Sequence, residues 1–307
     1  MSRTRGLFWP RALCEGDCVG LFAASSGVPH GVLDAAVAAL EAFGLRVAIG
    51  ESCYAEAAYL AGADALRARD VNRMFADPAI AGLFALRGGY GAQRILPLLD
   101  WRMIRRHPKP LFGYSDVTAL HTAIQRLCGF ITYHTPMPAT ELCGGLDVYS
   151  RDWYEKCLFG GAFGRVENPR GQTLEMVCGG VCTGILTGGN LTLLASSLGT
   201  LYALDPRGKI LLLEDVDEEP YRIDRMLTQL RLAGVFDECA GILLGAFTRC
   251  GEAERVLHDA FWRCGKPVLG GLVCGHCLPT MSLPLGALVR LRADKKEVVV
   301  MGKVQKW

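Results

Sequence analysis

The chain has 307 residues, half of them hydrophobic and 21% charged, with a formal net charge of +2. That length suggests about two domains of roughly 150 residues each, and the apolar content excludes a disordered chain. Near-neutral charge, with no basic stripe and no interleaving of aromatic and basic residues, excludes nucleic acid as a partner.

The N-terminal residues include arginines but no apolar stretch of the kind a secretory leader needs. Thirteen cysteines at irregular spacing read as reduced, mostly buried small side chains. Together these lead to the expectation of a cytoplasmic protein. Residues 18–24 form an apolar run, 32–43 a helical pattern and 45–49 a second apolar run. A helix over 64–75 stops before Asp77-Pro78, and 80–86 is a buried strand closed by Arg87-Gly88-Gly89-Tyr90-Gly91. A helix reaches about Leu99, a strand and helix flank Ser115, and 130–133 is apolar again. Repeated βα units of this length predict a parallel sheet covered on both faces.

The pattern breaks over 136–177, where prolines and paired glycines recur, so a connection between domains is expected there. Residues 177–204 carry no charge, but glycine, threonine, serine and Asn190 make them a poor membrane helix and a better strand–turn–helix. No membrane association is expected. Apolar runs at 210–216, 241–247 and 268–273 alternate with helical segments at 223–232 and 253–262. Residues 288–292 and 297–301 predict a hairpin turning through Asp294-Lys295-Lys296. The expected organisation is α/β: an N-terminal Rossmann-like parallel-sheet domain over 1–150, a connection over 151–177, and a smaller mixed α/β domain over 178–307.

Four places bear chemistry. Ser115 stands between an apolar strand and a helix N-terminus, where hydrolytic enzymes expose a nucleophile; an ordinary helix N-cap serine reads the same way. Gly88 and Gly89 end a strand and let backbone N–H groups approach a substrate, as an oxyanion hole requires; a phosphate loop or a plain βα turn is the alternative. Glu214, Asp215, Asp217, Glu218 and Glu219 crowd the end of an apolar strand, either as a solvated face at a helix start or as the source of a carboxylate that orients a histidine. Of six histidines, His30 and His107 stand beside prolines and His121 and His258 lie on helical segments. His134 and His276 are left where a strand releases a side chain into a cleft. Cys274-Gly275-His276-Cys277 also invites a dithiol redox reading, but Pro279 and Pro284 work against the helix such a site opens, and no second ligand pair supports zinc.

Seven ordered motifs resemble the L,D-carboxypeptidase family of serine peptidases, which includes microcin-immunity peptidases. They are Tyr59-Leu60-Ala61-Gly62, Phe75-Ala76-Asp77-Pro78, Arg87-Gly88-Gly89-Tyr90-Gly91, Phe112-Gly113-Tyr114-Ser115-Asp116, Leu186-Thr187-Gly188-Gly189-Asn190, Glu214 to Glu218 with Tyr221-Arg222-Ile223-Asp224-Arg225, and Cys274-Gly275-His276. The resemblance implies a triad of Ser115 as nucleophile, His276 as base and Glu218 as orienting acid. It implies an oxyanion hole from the backbone N–H of Asp116 and of Gly88 or Gly89, and no metal or organic cofactor. Arg222, Asn190 and Tyr90 are the substrate-binding candidates, Arg222 for a terminal carboxylate unless it pairs with its acidic neighbours. Thr135, where the family more often has glycine, and the cysteines flanking His276 are departures. The implied reaction removes D-Ala from murein tetrapeptide during cytoplasmic cell-wall recycling, by a homodimer. The rival expectations are a peptidase acting on another acylated amino acid or peptide-nucleotide, and a non-catalytic ligand-binding protein on the same scaffold.

Overall fold

A computed structural model describes residues 6–29 and 31–303, so the reading of the first five residues and of His30 lies outside the described residues. The chain begins with β1 (Cys18–Phe22), α1 (Val32–Glu41), β2 (Arg46–Ile49), α2 (Asp64–Ala76) and β3 (Ile80–Ala85). It continues with α3 (Ala92–Ile95), α4 (Trp101–Arg106), β4 (Leu111–Gly113), α5 (Thr118–Leu127) and β5 (Thr132–His134). Strands β1, β3 and β4 are buried on both faces, which is why each reads as an unbroken apolar run rather than an alternating one. Helix α2 buries Ala68, Val71, Met74 and Phe75, spaced for one face, and ends where Asp77 precedes Pro78. The short α4 went unrecognised in the sequence; the Asp100 carboxylate caps it by accepting from Met103 N–H at 2.9 Å.

The second half comprises α6 (Val148–Phe159), β6 (Ala162–Arg165), β7 (Glu175–Cys178), β8 (Val181–Asn190) and α7 (Leu191–Ser196). Then come β9 (Ile210–Val216), α8 (Pro220–Leu232), α9 (Val235–Glu238), β10 (Gly241–Thr248), α10 (Ala253–Phe261) and β11 (Val268–Gly270). Strand β12 (Leu283–Leu285) and the hairpin β13 (Leu288–Arg292) and β14 (Glu297–Lys303) complete the chain. The uncharged stretch is β8 running into α7, and no helix among the described residues is long and apolar enough to cross a membrane.

Two sheets result. The first has the order β12-β5-β4-β3-β1-β2, parallel from β5 through β2. Its edge strand β12 pairs antiparallel with β5, Leu283 opposite His134. The second has the order β6-β14-β13-β8-β9-β10-β11-β7, with β8 to β11 parallel and antiparallel strands on both sides. Two expectations therefore change. The stretch 151–177 is not a bare connection, because it holds most of α6 and supplies both edge strands of the second sheet. The C-terminal half is not the smaller one by sheet size, and it returns β12 to the first sheet. These strands are only three or four residues long, too short for a pattern of their own, so only their pairing partners define them.

Helix α5 lies between the sheets, buried continuously from Thr118 to Gln125. Its His121 Nε2 meets the Gly113 carbonyl oxygen at 2.9 Å, and burial pushes the imidazole down to about 3, so this histidine is a neutral donor that ties helix to strand. Across β3, β4 and β5 the rings of Phe84, Phe112 and Tyr133 stack at directly paired positions, with centroids 4.4 and 4.9 Å apart. This stack fixes the strand from which Ser115 emerges. Replacing Phe112 by Ala should cost about 3–5 kcal/mol in denaturant unfolding, because no neighbour can collapse into the middle of a three-ring stack. A loss below about 1 kcal/mol would show that the stack does not hold β4.

Candidate active site

Ser115 follows β4 after a single residue and opens a turn of 3₁₀ helix that runs directly into α5. It is not an N-cap: Tyr114 holds that position and no side chain caps the turn. Its φ is 62°, the left-handed region that a serine occupies only when its surroundings impose it. A Cβ added at Gly88 would lie 2.8 Å from Ser115 Oγ, so the glycine is what lets the loop after β3 close on the hydroxyl. Among the described residues the N–H groups of Gly88, Gly89 and Asp116 have no backbone or side-chain acceptor, which leaves them available to an anion formed beside Ser115. The Asp116 side chain points inward, accepting from Ser25 Oγ at 2.5 Å and from Ala92 N–H at 2.7 Å, and burial raises its pKa.

His276 hangs from the loop after β11, and its Nδ1 lies 2.6 Å from Oε2 of Glu214. Glu214 is wholly buried near the end of β9. A Cβ at Gly275 would meet its Oε2 at 2.5 Å, so glycine there is a condition of the close approach. His134, at the end of β5, brings Nε2 to 3.8 Å from Glu214 Oε1, an ion-pair rather than a hydrogen-bond distance. Burial pushes the Glu214 carboxyl up, but His134 and His276 outweigh it and bring the group down to about 2. Burial lowers the His276 pKa, yet Glu214 above all, with Asp215 and Glu141, raises it above the ordinary 6.5. The Tyr114 ring packs on His276 at 4.6 Å and on His134 at 5.5 Å, while its hydroxyl donates to Glu141 at 2.6 Å. The residue before Ser115 is thus the one against which the His276 ring packs. Ser115 Oγ and His276 are not hydrogen-bonded to one another among the described residues.

The expected acid is corrected. Glu218 does not meet His276: its carboxylate is 3.4 Å from Thr192 Oγ1 and 3.9 Å from Arg222. Strand β9 continues to Val216 and the chain reverses at Asp217, with φ 56°, so Glu218 lies beyond the turn. A signal for Glu214 was present in the sequence, since a carboxylate directly after Leu211-Leu212-Leu213 is buried with that strand and needs a charged partner. Asn190 is likewise spent internally, donating to Asp215 at 2.8 Å and capping α7 through Leu193 N–H. Arg222 is exposed, beside Glu218 and the Tyr221 hydroxyl, and Tyr90 is exposed against Tyr59. Burial pushes the Cys277 thiol up to about 11 and the Cys274 thiol well above its ordinary value, the reverse of what a reactive dithiol needs. Among the described residues no three His, Cys, Asp or Glu side chains are grouped to hold a metal ion.

Both halves of the chain match known proteins. Residues 19–135 match the LD-carboxypeptidase N-terminal domain and residues 183–291 the LD-carboxypeptidase C-terminal domain. The chain is 39% identical over 302 residues to the probable murein peptide carboxypeptidase of Bacillus subtilis, covering 95% of this chain and 93% of that one. It is 34% identical over 291 residues to the murein tetrapeptide carboxypeptidase of Pseudomonas aeruginosa, covering 90% and 94%. The crystal structure of muramoyltetrapeptide carboxypeptidase from Oxalobacter formigenes superposes with a TM-score of 0.80 at 26% identity, over 94% of this chain and 99% of that one.

The geometry generates a prediction for fluorophosphonate labelling of Ser115. His276 accepts the serine proton only when neutral, so labelling should rise with pH through a midpoint above 6.5. Glu214→Gln removes the charge that raises this pKa; it should shift the midpoint down and slow labelling by about 10⁴-fold. Glu218→Gln should label at close to the unsubstituted rate. A crippled Glu218→Gln with an unaffected Glu214→Gln would return the acid to Glu218.

Proposed function

The chain belongs to the LD-carboxypeptidase family of serine peptidases, and from that premise we propose that it releases the terminal D-Ala from murein tetrapeptide. The observation that supports this most is Ser115, held at φ 62° beside Gly88, in one site with a histidine whose Nδ1 is 2.6 Å from a buried carboxylate. Ser115 Oγ attacks the carbonyl of the third stem residue while His276 Nε2 takes its proton. Glu214 keeps the other ring nitrogen protonated and stabilises the imidazolium. The N–H groups of Asp116 and of Gly88 or Gly89 receive the oxyanion. His276 then protonates the departing D-Ala nitrogen, and a water activated by the same imidazole hydrolyses the acyl-enzyme and regenerates Ser115. None of these steps draws on a metal or organic cofactor.

Family resemblance supports placing the reaction in cytoplasmic recycling of cell-wall peptides and assigning it to a homodimer. Specificity for a D-configured leaving residue follows from a fixed triad and oxyanion hole, because inverting the terminal Cα swings its carboxylate away from its binding partner. Loss of one charge-assisted hydrogen bond alone disfavours the L-form by about ten- to a hundred-fold.

The test is a side-by-side assay, by mass spectrometry, of tetrapeptide ending in D-Ala, its L-Ala diastereomer, and pentapeptide ending in D-Ala-D-Ala. The first should lose D-Ala and the other two should be nearly inert. Ser115→Ala should stay folded and lose turnover by as much as about a million-fold. Equal rates on the two tetrapeptides would leave a serine peptidase without L,D-specificity.

A further inference from the structure

Glu214 has two carboxylate oxygens, and the reaction described above uses one of them. Oε2 meets the His276 ring at 2.6 Å and accepts from the His276 backbone N–H at 3.3 Å. Oε1 is buried and has no hydrogen-bond partner among the described residues. His134 Nε2 faces it at 3.8 Å and is itself buried without a partner. Two buried polar atoms of opposite character, open only to one another, are costly to leave unmatched.

Only one tautomer of His134 suits that arrangement. Its Nδ1 lies 3.7 Å from Cys274 Sγ, within reach of a thiol donor. Burial raises the Cys274 pKa well above its ordinary value, so the sulfur keeps a proton to donate. With the S–H directed at Nδ1, the ring proton sits on Nε2 and points at Glu214 Oε1. In the other tautomer the Nε2 lone pair would face the carboxylate, two acceptors with no proton between them. The ring is also held in place: His134 pairs with Gly113 of β4 and Leu283 of β12, and the Tyr114 ring meets it at 5.5 Å. Strand β12 follows His276 in the chain, so the segment that carries one histidine braces the other.

We infer that His134 is a positioning residue for the reaction: its Nε2–H holds Oε1 of Glu214 so that Oε2 stays on His276, and the Cys274 thiol selects the tautomer that does so. The inference rests on the triad proposed above. Donors run from Cys274 to His134 to Glu214, and His276 closes the series from the other side. The titratable side chains around it are His121 from α5, Tyr114, Glu141, Asp215, Cys157 and Cys277. None of them reaches His134 Nε2 or Glu214 Oε1 with a hydrogen bond. Cys274, a departure from the family pattern, thereby serves as a hydrogen-bond donor and not as a redox thiol.

The experiment has two readouts: the rate and pH midpoint of fluorophosphonate labelling at Ser115, and the nitrogen NMR spectrum of the histidine rings. His134→Phe keeps a ring against Tyr114 and removes the donor. Labelling should slow by about tenfold or more, and its midpoint should move up, because Glu214 loses the N–H dipole that offsets its charge. Glu214→Gln moves the midpoint down, so the two variants separate loss of the brace from loss of the acid. His134→Gln puts an amide N–H in the place of Nε2–H and should restore the rate to within about threefold of the unsubstituted enzyme. Cys274→Ala should slow labelling by about threefold or more, yet add nothing to His134→Gln, since an amide has no tautomer to select. The NMR spectrum of the unsubstituted protein should show the His134 proton on Nε2, in a signal lost from His134→Gln. A proton on Nδ1, a His134→Phe rate within about twofold of the unsubstituted one, or an equal Cys274→Ala effect in both backgrounds overturns the inference. The spectrum decides the matter even if His134→Phe does not fold. If Glu214→Gln labels at the unsubstituted rate, the triad itself fails and the positioning role falls with it.

Discussion

A carboxylate with no solvent exposure lies where the two sheets of this molecule meet, and the geometry of the site depends on it. Ionised Glu214 at the end of β9 would be prohibitively costly without partners. Its partners come from different places: His276 from the loop after β11 and His134 from the last parallel strand of the other sheet. The His276 backbone N–H adds a third interaction at 3.3 Å. His276 supplies the hydrogen bonds, and His134 brings the first sheet to within 3.8 Å of the same carboxylate, so the group that orients the imidazole sits where the two halves meet. Its pKa of about 2 means that the stabilisation is present above the ordinary carboxylate range and is lost as pH falls through that value. The raised His276 pKa acts oppositely: that contribution is complete below 6.5 and is lost as pH rises through the raised value.

Ser115 is held by a separate set of contacts. Left-handed backbone at a serine costs on the order of 1–3 kcal/mol and persists only where neighbours over-determine it. Here Val117 N–H donates to the Tyr114 carbonyl oxygen, the Tyr114 hydroxyl is anchored on Glu141, and the Asp116 carboxylate ties the turn to Ser25 and Ala92. Tyr114 belongs to both sets, since its ring also packs against His134 and His276. Strain at Ser115 and charge at Glu214 are thereby coupled through one aromatic side chain.

The acidic run after Leu213 divides into unlike roles by a few residues' difference in position. Glu214 faces the histidines. Asp215 accepts from Asn190, Thr192 and the Val216 N–H, fixing the start of α7. Asp217 forms a two-pronged pair with Arg249 at 2.6 Å on the surface, and Glu218 sits by Arg222 and Thr192. Exposed pairs of this kind add little stability, so the charge density of the run says nothing about which member is catalytic.

The sequence by itself determined the α/β class, most strand and helix positions and the terminal hairpin, and it singled out Ser115 and His276 as candidates. Parallel strands buried on both faces are continuous apolar runs, and a serine between such a run and a helix is visible without coordinates. It also carried the glycine that packs against Ser115. Only the tertiary structure decided that Glu214 rather than Glu218 meets His276, because the choice depends on where β9 ends and which way each carboxylate turns. It alone placed β12 in the first sheet and made 151–177 an edge-forming segment, since strands of three or four residues are defined by their partners and not by their own pattern.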